Sequence, residues 1–181
     1  MDKTSTLAGA MAPAPEFEVA AWLNAPGPVT LASLRGRVVA VYAFQMLCPG
    51  CVSYALPQAK AMEALLGRHE LAVLGLHTVF EHHAAMNPEA LAAFLHEYRI
   101  GFPVGVDMPG TDGPIPRTMA RYRMRGTPTL LLFDRAGRLR HSLFGHQGDM
   151  QVGALVGALL AEAPASRCDD SGCLVPEGSM P

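Results

Sequence analysis

Two rhythms of apolar and polar positions alternate along this chain. Val38 to Phe44 is an unbroken apolar run, the pattern of a strand covered on both faces. Residues 71–76 repeat it, and shorter runs at 104–106 and 130–133 predict two further strands. Between them the period lengthens to that of a helix. One helix is predicted from Val52 to about Leu66, kinked by Pro57 and ended by Gly67. Asn87, Pro88 and Glu89 supply a cap, a first-turn proline and a first-turn acid for the next, with Leu91, Phe94, Leu95 and Tyr98 on one face. A short helix is predicted near 117–122. A last one starts at Asp149 and turns Val152, Leu155, Val156, Leu159 and Leu160 inward, with Gly153 and Gly157 read as points of close packing.

Residues 17–23 and 29–31 read as strands joined by the turn at 24–28, an N-terminal β-hairpin extension. Residues 130–133, the turn Asp134-Arg135-Ala136-Gly137, and 139–144 read as a second hairpin. The expected organisation is a flexible arm over 1–16, one domain over 17–162, and a polar C-terminal tail over 163–181. Strands alternating with helices imply an α/β fold, a central mixed sheet with helices on both faces.

Composition narrows the function classes. At 181 residues, half of them hydrophobic, the chain can bury a core of ordinary size. A net charge of −2 gives no reason to expect nucleic acid or an anionic membrane surface as partner. No run approaches the ~20 apolar residues of a membrane span, and residues 1–15 lack the apolar stretch of a signal peptide. The expected compartment is the cytoplasm, or the periplasm if a leader has been removed. Four cysteines are too few for a disulfide scaffold of this length.

The chemistry concentrates where the first buried strand meets the first helix. Cys48-Pro49-Gly50-Cys51 places two thiols one helical turn apart, within reach of a disulfide. Pro49 suits a first helical turn. Cys48 then faces unpaired N–H groups at the positive end of a helix, which favour its thiolate. The chemistry predicted is thiol–disulfide exchange. A structural zinc would need a second cysteine pair brought to the same place, and chance proximity is the bland alternative.

The order of buried strand, CPGC, helix, βα unit, Gly126-Thr127-Pro128-Thr129, hairpin and closing helix resembles the thioredoxin fold. Within it the chain is similar to the TlpA-like disulfide reductases and the wider redoxin group, peroxiredoxins being a sister group. The likeness covers about 17–162, and 132–138 (Leu-Phe-Asp-Arg-Ala-Gly-Arg) adds to it. It implies that Cys48 is the attacking thiolate and Cys51 the resolving one. It also implies that Pro128 is cis and lies against them, and that Thr127 offers its backbone to an extended substrate. Pro49, Gly50 and Gln45 complete the expected substrate contacts. No cofactor and no metal are expected. The expected partners are protein or small-molecule disulfides and an upstream dithiol donor, without nucleic acid or membrane, for a monomer or weak dimer.

The chain departs from that pattern in four places. Leu47 stands where many relatives carry Trp. Tyr42 fills the place of thioredoxin's buried acid. Gln45 and Val41 replace the Thr and Pro that peroxiredoxins place three and seven residues before the reactive cysteine.

Cys168 and Cys173, in Cys-Asp-Asp-Ser-Gly-Cys, form a possible secondary redox pair, or a pair of exposed thiols. Asp169 and Asp170 disfavour thiolates beside them. His77, His82 and His83 match no closed metal site, and Arg121, Arg123 and Arg125 read as a solvated face. Besides the reductase, two other functions are compatible with these residues: a thiol peroxidase, and a non-enzymatic metal-binding protein.

Overall fold

The computed structural model describes residues 12–67 and 70–162, with the backbone of 168–169 and 172–173. The central strand β2 (Val38–Phe44) is buried at all seven positions, as its unbroken apolar run requires. Beside it lie β3 (Leu71–His77), in parallel register from Val38↔Leu71 to Phe44↔His77, and β5 (Thr129–Phe133), antiparallel from Ala43↔Thr129 to Val39↔Phe133. With β1 (Val19–Leu23), β4 (Val104–Asp107) and β6 (Leu139–Phe144) they form a mixed sheet of order β1-β4-β3-β2-β5-β6.

Alternate residues of β2 feed different cores, because successive side chains leave a strand on opposite faces. Val38, Ala40, Tyr42 and Phe44 pack with α1 (Leu56–Leu66), α2 (Pro88–Glu97) and α4 (Asp149–Ala161) through Leu56, Ala59, Leu91, Leu95, Val152 and Val156. Val39, Val41 and Ala43 pack on the other side with Leu131, Phe133, Tyr122 and Met119 of α3 (Arg117–Arg121). This is the α/β architecture expected, helices covering both faces. Among the described residues no helix is long and apolar enough to cross a membrane.

One local expectation is corrected. No N-terminal β-hairpin forms: β1 pairs antiparallel with β4, Leu23 opposite Val104, and 29–31 is not a strand. The Glu16 carboxylate accepts the N–H groups of Leu31 at 2.6 Å and Ala32 at 2.8 Å, turning the chain into a 3-10 turn at Ala32–Leu34. Those amides are therefore taken, while β4 offers β1 a free edge. Pro57 lies in the first turn of α1, inside a helical run from 49 to 66, and the residues before it, Cys51–Ala55, form a wider π turn. Proline supplies no N–H, so the preceding turn loses its ordinary ladder and widens, as π turns do near functional sites.

The segment expected to be an arm is tied down where it is described. Ala14 N–H donates to the Gly137 carbonyl at 2.8 Å, and the Tyr122 hydroxyl donates to the Pro15 carbonyl. Asp107, almost fully buried, accepts the Thr118 N–H at 2.8 Å, the Met119 N–H at 3.0 Å and the Thr78 hydroxyl at 2.9 Å. It so holds the start of α3 against the sheet. Burial pushes its carboxyl above the usual range, opposed by these hydrogen bonds.

Gly75 in β3 shows how tight this core is. A Cβ there would lie 3.0 Å from Val104 Cγ2 and 3.1 Å from Phe44 Cε1. Gly75→Ala is expected to cost ~1–3 kcal/mol as overpacking, read as a lower urea midpoint at unchanged slope. A second expectation concerns His77, whose ring stands 5.3 Å from that of Phe44 and is 1% exposed. Burial lowers its pKa from 6.5 to about 4. The unfolded chain therefore takes the proton first as pH falls. His77's contribution to stability is full above 6.5 and declines through the window from 6.5 to about 4. At ~1.4 kcal/mol per pH unit the loss amounts to ~3 kcal/mol. His77→Phe should flatten the stability profile in that window relative to wild type; parallel profiles for the two proteins would contradict it.

Candidate active site

The redox candidates meet at the end of β2. The chain leaves Phe44 through Gln45 and Met46, both buried, and reaches the exposed Leu47 and half-buried Cys48. Cys48 N–H donates to the Gln45 carbonyl at 3.3 Å, and the Cys51 and Val52 N–H groups donate to the Cys48 carbonyl at 3.0 and 3.1 Å. These bonds close the turn that starts the helix. The Cys51 N–H also points at Cys48 Sγ, 3.3 Å away. Such a contact stabilises negative charge on that sulfur.

Antiparallel pairing of β2 with β5 brings the second half of the site. Ala43 stands opposite Thr129, so the residues just before β5 fall beside the cysteine turn. The Thr127–Pro128 bond is cis. The Thr127 carbonyl accepts from Cys48 Sγ at 3.6 Å. Gly50 packs against the Pro128 ring; a Cβ on Gly50 would lie 3.4 Å from Pro128 Cδ, an ordinary contact that leaves no spare room. Thr129 locks this loop from inside by donating its hydroxyl to the Gly126 carbonyl at 2.7 Å.

The two thiols have different environments. Cys48 is reachable by solvent, and Cys51 is 0% exposed. Burial is the main reason that the Cys51 thiol is pushed up to about 12, and the neighbouring Cys48 sulfur raises it further; the Gln45 backbone and the Thr127 side chain pull the other way through hydrogen bonds. One thiol faces reagents while the other is held protonated beneath it.

Of the expected substrate contacts, Pro49 is exposed and Gly50 and Thr127 are half-buried at the rim. Gln45 lies inside, 1% exposed, and its side-chain nitrogen has no partner. Its contribution at the cysteines comes through its backbone. His77 is buried in β3, while His82 and His83 are exposed. Among the described residues no group of three His, Cys, Asp or Glu side chains is placed to hold a metal. Arg121 is engaged by Glu18 and the Glu16 carbonyl.

Several site features are absent from the sequence reading. Tyr42 is buried, its phenol donating to Gln58 Oε1 at 3.1 Å, and Gln58 donates on to Asp149 Oδ1 at 2.7 Å and the Gln147 carbonyl at 2.9 Å. The place of thioredoxin's acid is thus taken by a phenol in a hydrogen-bonded link between β2, α1 and α4. Burial, with the Asp149 charge, pushes the Tyr42 phenol well above its usual range. Three large apolar side chains stand out around the motif elements. Leu47 precedes Cys48 and is exposed. Tyr54, also exposed, follows Cys51 by three positions and stacks on His146 at 4.8 Å. Exposed Phe144 packs over Gly126 and carries the Arg125 guanidinium 5.2 Å from its ring centre. Arg125 so belongs to the cis-proline rim. Leu47 was visible in the sequence as the residue before Cys48; the Phe144 and His146 contacts depend on how β6 closes on β5.

Comparison with known proteins gives consistent matches. The AhpC/TSA family model matches residues 10–142. The crystal structure of the thioredoxin-like superfamily protein SPOA0173 is 56% identical and superposes with a TM-score of 0.82, covering 84% of this chain and 98% of that one. A thiol-disulfide isomerase from Corynebacterium glutamicum is 48% identical with a TM-score of 0.81, covering 84% of this chain and 99% of that one. Protein DipZ of Mycobacterium tuberculosis is 33% identical over 154 residues, which are 83% of this chain and 21% of DipZ. The chain thus spans about a fifth of the length of the curated relatives it matches.

The asymmetry of the two thiols is directly measurable. Brief iodoacetamide treatment of the reduced native protein at pH 7 should label Cys48 and spare Cys51, while denatured protein takes label at both. Equal labelling of the two in the native state would contradict the buried position of Cys51.

Proposed function

This chain belongs to the AhpC/TSA family, and from that premise we propose that it is a thiol–disulfide oxidoreductase that reduces disulfides through Cys48 and Cys51. The observation that carries the reading is the pairing of a solvent-reachable Cys48 with a buried Cys51, directly across from the cis Thr127–Pro128 bond. The names of two close structural relatives, a thioredoxin-like protein and a thiol-disulfide isomerase, point the same way.

The geometry gives each residue a task. Cys48 Sγ, as thiolate, attacks one sulfur of a substrate disulfide. A new S–S bond forms, the substrate bond breaks, and the departing sulfur takes a proton. Thr127 offers its backbone beside the reacting sulfur to an extended substrate strand. Cys51 stays protonated during this step because burial and the nearby Cys48 sulfur raise its pKa. Once Cys48 is tied up in the mixed disulfide its charge is gone, so that opposing influence disappears. The Thr127 and Gln45 hydrogen bonds then favour ionisation of Cys51. Its thiolate attacks Cys48 Sγ, closes the Cys48–Cys51 disulfide and releases the second substrate thiol. Two electrons have passed to the substrate, and an external dithiol returns the centre to its starting state.

Leu47, Tyr54 and Phe144 supply an apolar rim for a protein substrate. These side chains are 56%, 55% and 46% exposed respectively, on segments next to the cysteine turn and the cis-proline loop. In a reducing compartment such as the cytoplasm the centre works as a reductant; its potential relative to the surroundings fixes the direction.

In an insulin-reduction assay with dithiothreitol, Cys48→Ser should lose essentially all turnover over background. Cys51→Ser should accumulate mixed disulfides that a non-reducing gel resolves. Wild-type turnover in Cys48→Ser would overturn the assignment. The same preparations assayed with hydrogen peroxide distinguish a peroxidase, in which Cys48 would pass through a sulfenic acid: faster consumption of peroxide than of insulin disulfide would favour that chemistry instead.

A further inference from the structure

The thiol chemistry proposed above does not require the C-terminal Cys168 and Cys173. Their backbone forms a small antiparallel ladder, β7 (Cys168–Asp169) with β8 (Gly172–Cys173), in which Cys168 is paired with Cys173 and Asp169 with Gly172. Directly opposed residues of an antiparallel pair share one face, with Cα atoms ~4.5–5.5 Å apart. That separation falls inside the ~4.4–6.8 Å window of a disulfide. Six residues in sequence thus bring two cysteines to bonding register without the rest of the domain.

The place where this tail leaves the domain decides which redox centre it can meet. The end of α4 is moored at the start of β2: Arg135 donates to the Leu160 carbonyl at 3.0 Å and to the Gly36 carbonyl at 3.0 Å. Cys48 lies beyond the opposite end of β2. The seven residues of β2 alone cover ~20 Å at ~3.3 Å per residue, and four more residues lead from Phe44 to Cys48. From Glu162 to Cys168 six residues reach at most ~20 Å. Even fully stretched, the tail does no more than match the length of β2, and the ladder brings Cys173 back beside Cys168.

We propose that Cys168 and Cys173 form a second dithiol/disulfide couple, and that it exchanges electrons with the Cys48–Cys51 centre of another copy of this chain. The inference rests on the thiol–disulfide reading of that centre. Asp169 and Asp170 disfavour thiolates in the tail, so the tail acts as the disulfide that is attacked. Cys48 of one molecule attacks the tail disulfide of another; a Cys48–tail bond forms and the Cys168–Cys173 bond breaks. Cys51 then attacks Cys48, closing the Cys48–Cys51 disulfide and freeing the second tail sulfur. Two electrons and two protons move from centre to tail. Tail reoxidation uses a small-molecule disulfide such as glutathione disulfide, which is itself reduced to two thiols.

Two full-length variants test this. Cys48→Ser/Cys51→Ser keeps only the tail pair and is treated with glutathione disulfide, then desalted. Cys168→Ser/Cys173→Ser keeps only the centre and is reduced, then desalted. The first should have no thiol left for iodoacetamide before mixing. On mixing, it should gain two labelled thiols while the second loses two, at a rate that doubles when either concentration doubles. A tail that keeps free thiols or glutathione adducts after the oxidation, or a mixture in which no label moves, would overturn the proposal. So would transfer within wild-type protein at a rate unchanged by dilution. Insulin reduction by the centre-only variant separates the two readings. If it reduces insulin but not the tail, only the second couple falls; if it does neither, the oxidoreductase assignment falls with it.

Discussion

The site depends on one register: β2 against β5, with Ala43 opposite Thr129. Cys48 lies four residues beyond the end of β2, and Pro128 immediately before the start of β5. Antiparallel pairing between the two strands therefore folds the cysteine turn and the cis-proline loop onto each other. A slip of one residue would reverse every side chain of β2 between its two cores. Tyr42 and Phe44 pack on one side and Val39, Val41 and Ala43 on the other, so the slip would force two rings into the space of smaller residues, and the register of the core sets what faces the cysteine turn.

The same burial differentiates the two thiols. Cys48 sits where the chain emerges from the sheet, and Cys51, three residues later, is carried back beneath it by the π turn that precedes Pro57. A single turn of backbone so produces a solvent-reachable sulfur and a protected one. Tyr42 occupies the expected place of thioredoxin's acid, and its phenol is spent on linking Gln58 and, through it, α4. The Cys51 thiol is pushed up mainly by burial and further by the Cys48 sulfur, and pulled down by the Gln45 and Thr127 hydrogen bonds. In the proposed mechanism the second step therefore waits on completion of the first.

The apolar rim has a different origin. Leu47 and Tyr54 come with the motif itself, whereas Phe144 arrives from β6 and rests on Gly126. At that glycine φ is +156°, and a Cβ would meet Phe144 at 3.0 Å. Absence of a side chain there lets the aromatic ring close over the cis-proline loop, with Arg125 above it. The rim is thus assembled from three segments separated in sequence.

Local rules sufficed for much of this protein. Continuous apolar runs gave β2 and β3, the Asn87-Pro88-Glu89 cap gave α2 with Asn87 Oδ1 accepting the Ala90 N–H at 2.9 Å, and the strand–CPGC–helix junction marked the reactive thiols, because each is settled by neighbours within a few residues. What those rules left open was pairing between distant segments. The reading of 29–31 as a strand failed because a carboxylate fifteen residues earlier takes the Leu31 amide, and no periodicity records such a contact. Likewise Gln45 looked available to a substrate until the fold turned its side chain inward, and Tyr42 gave no hint of its link to Gln58. Local pattern alone placed the two cysteines and the strand that leads to them. Tertiary structure alone decided which thiol is exposed, which is sealed, and what stands opposite them, since burial and long-range register belong to the packed chain and not to any stretch of it.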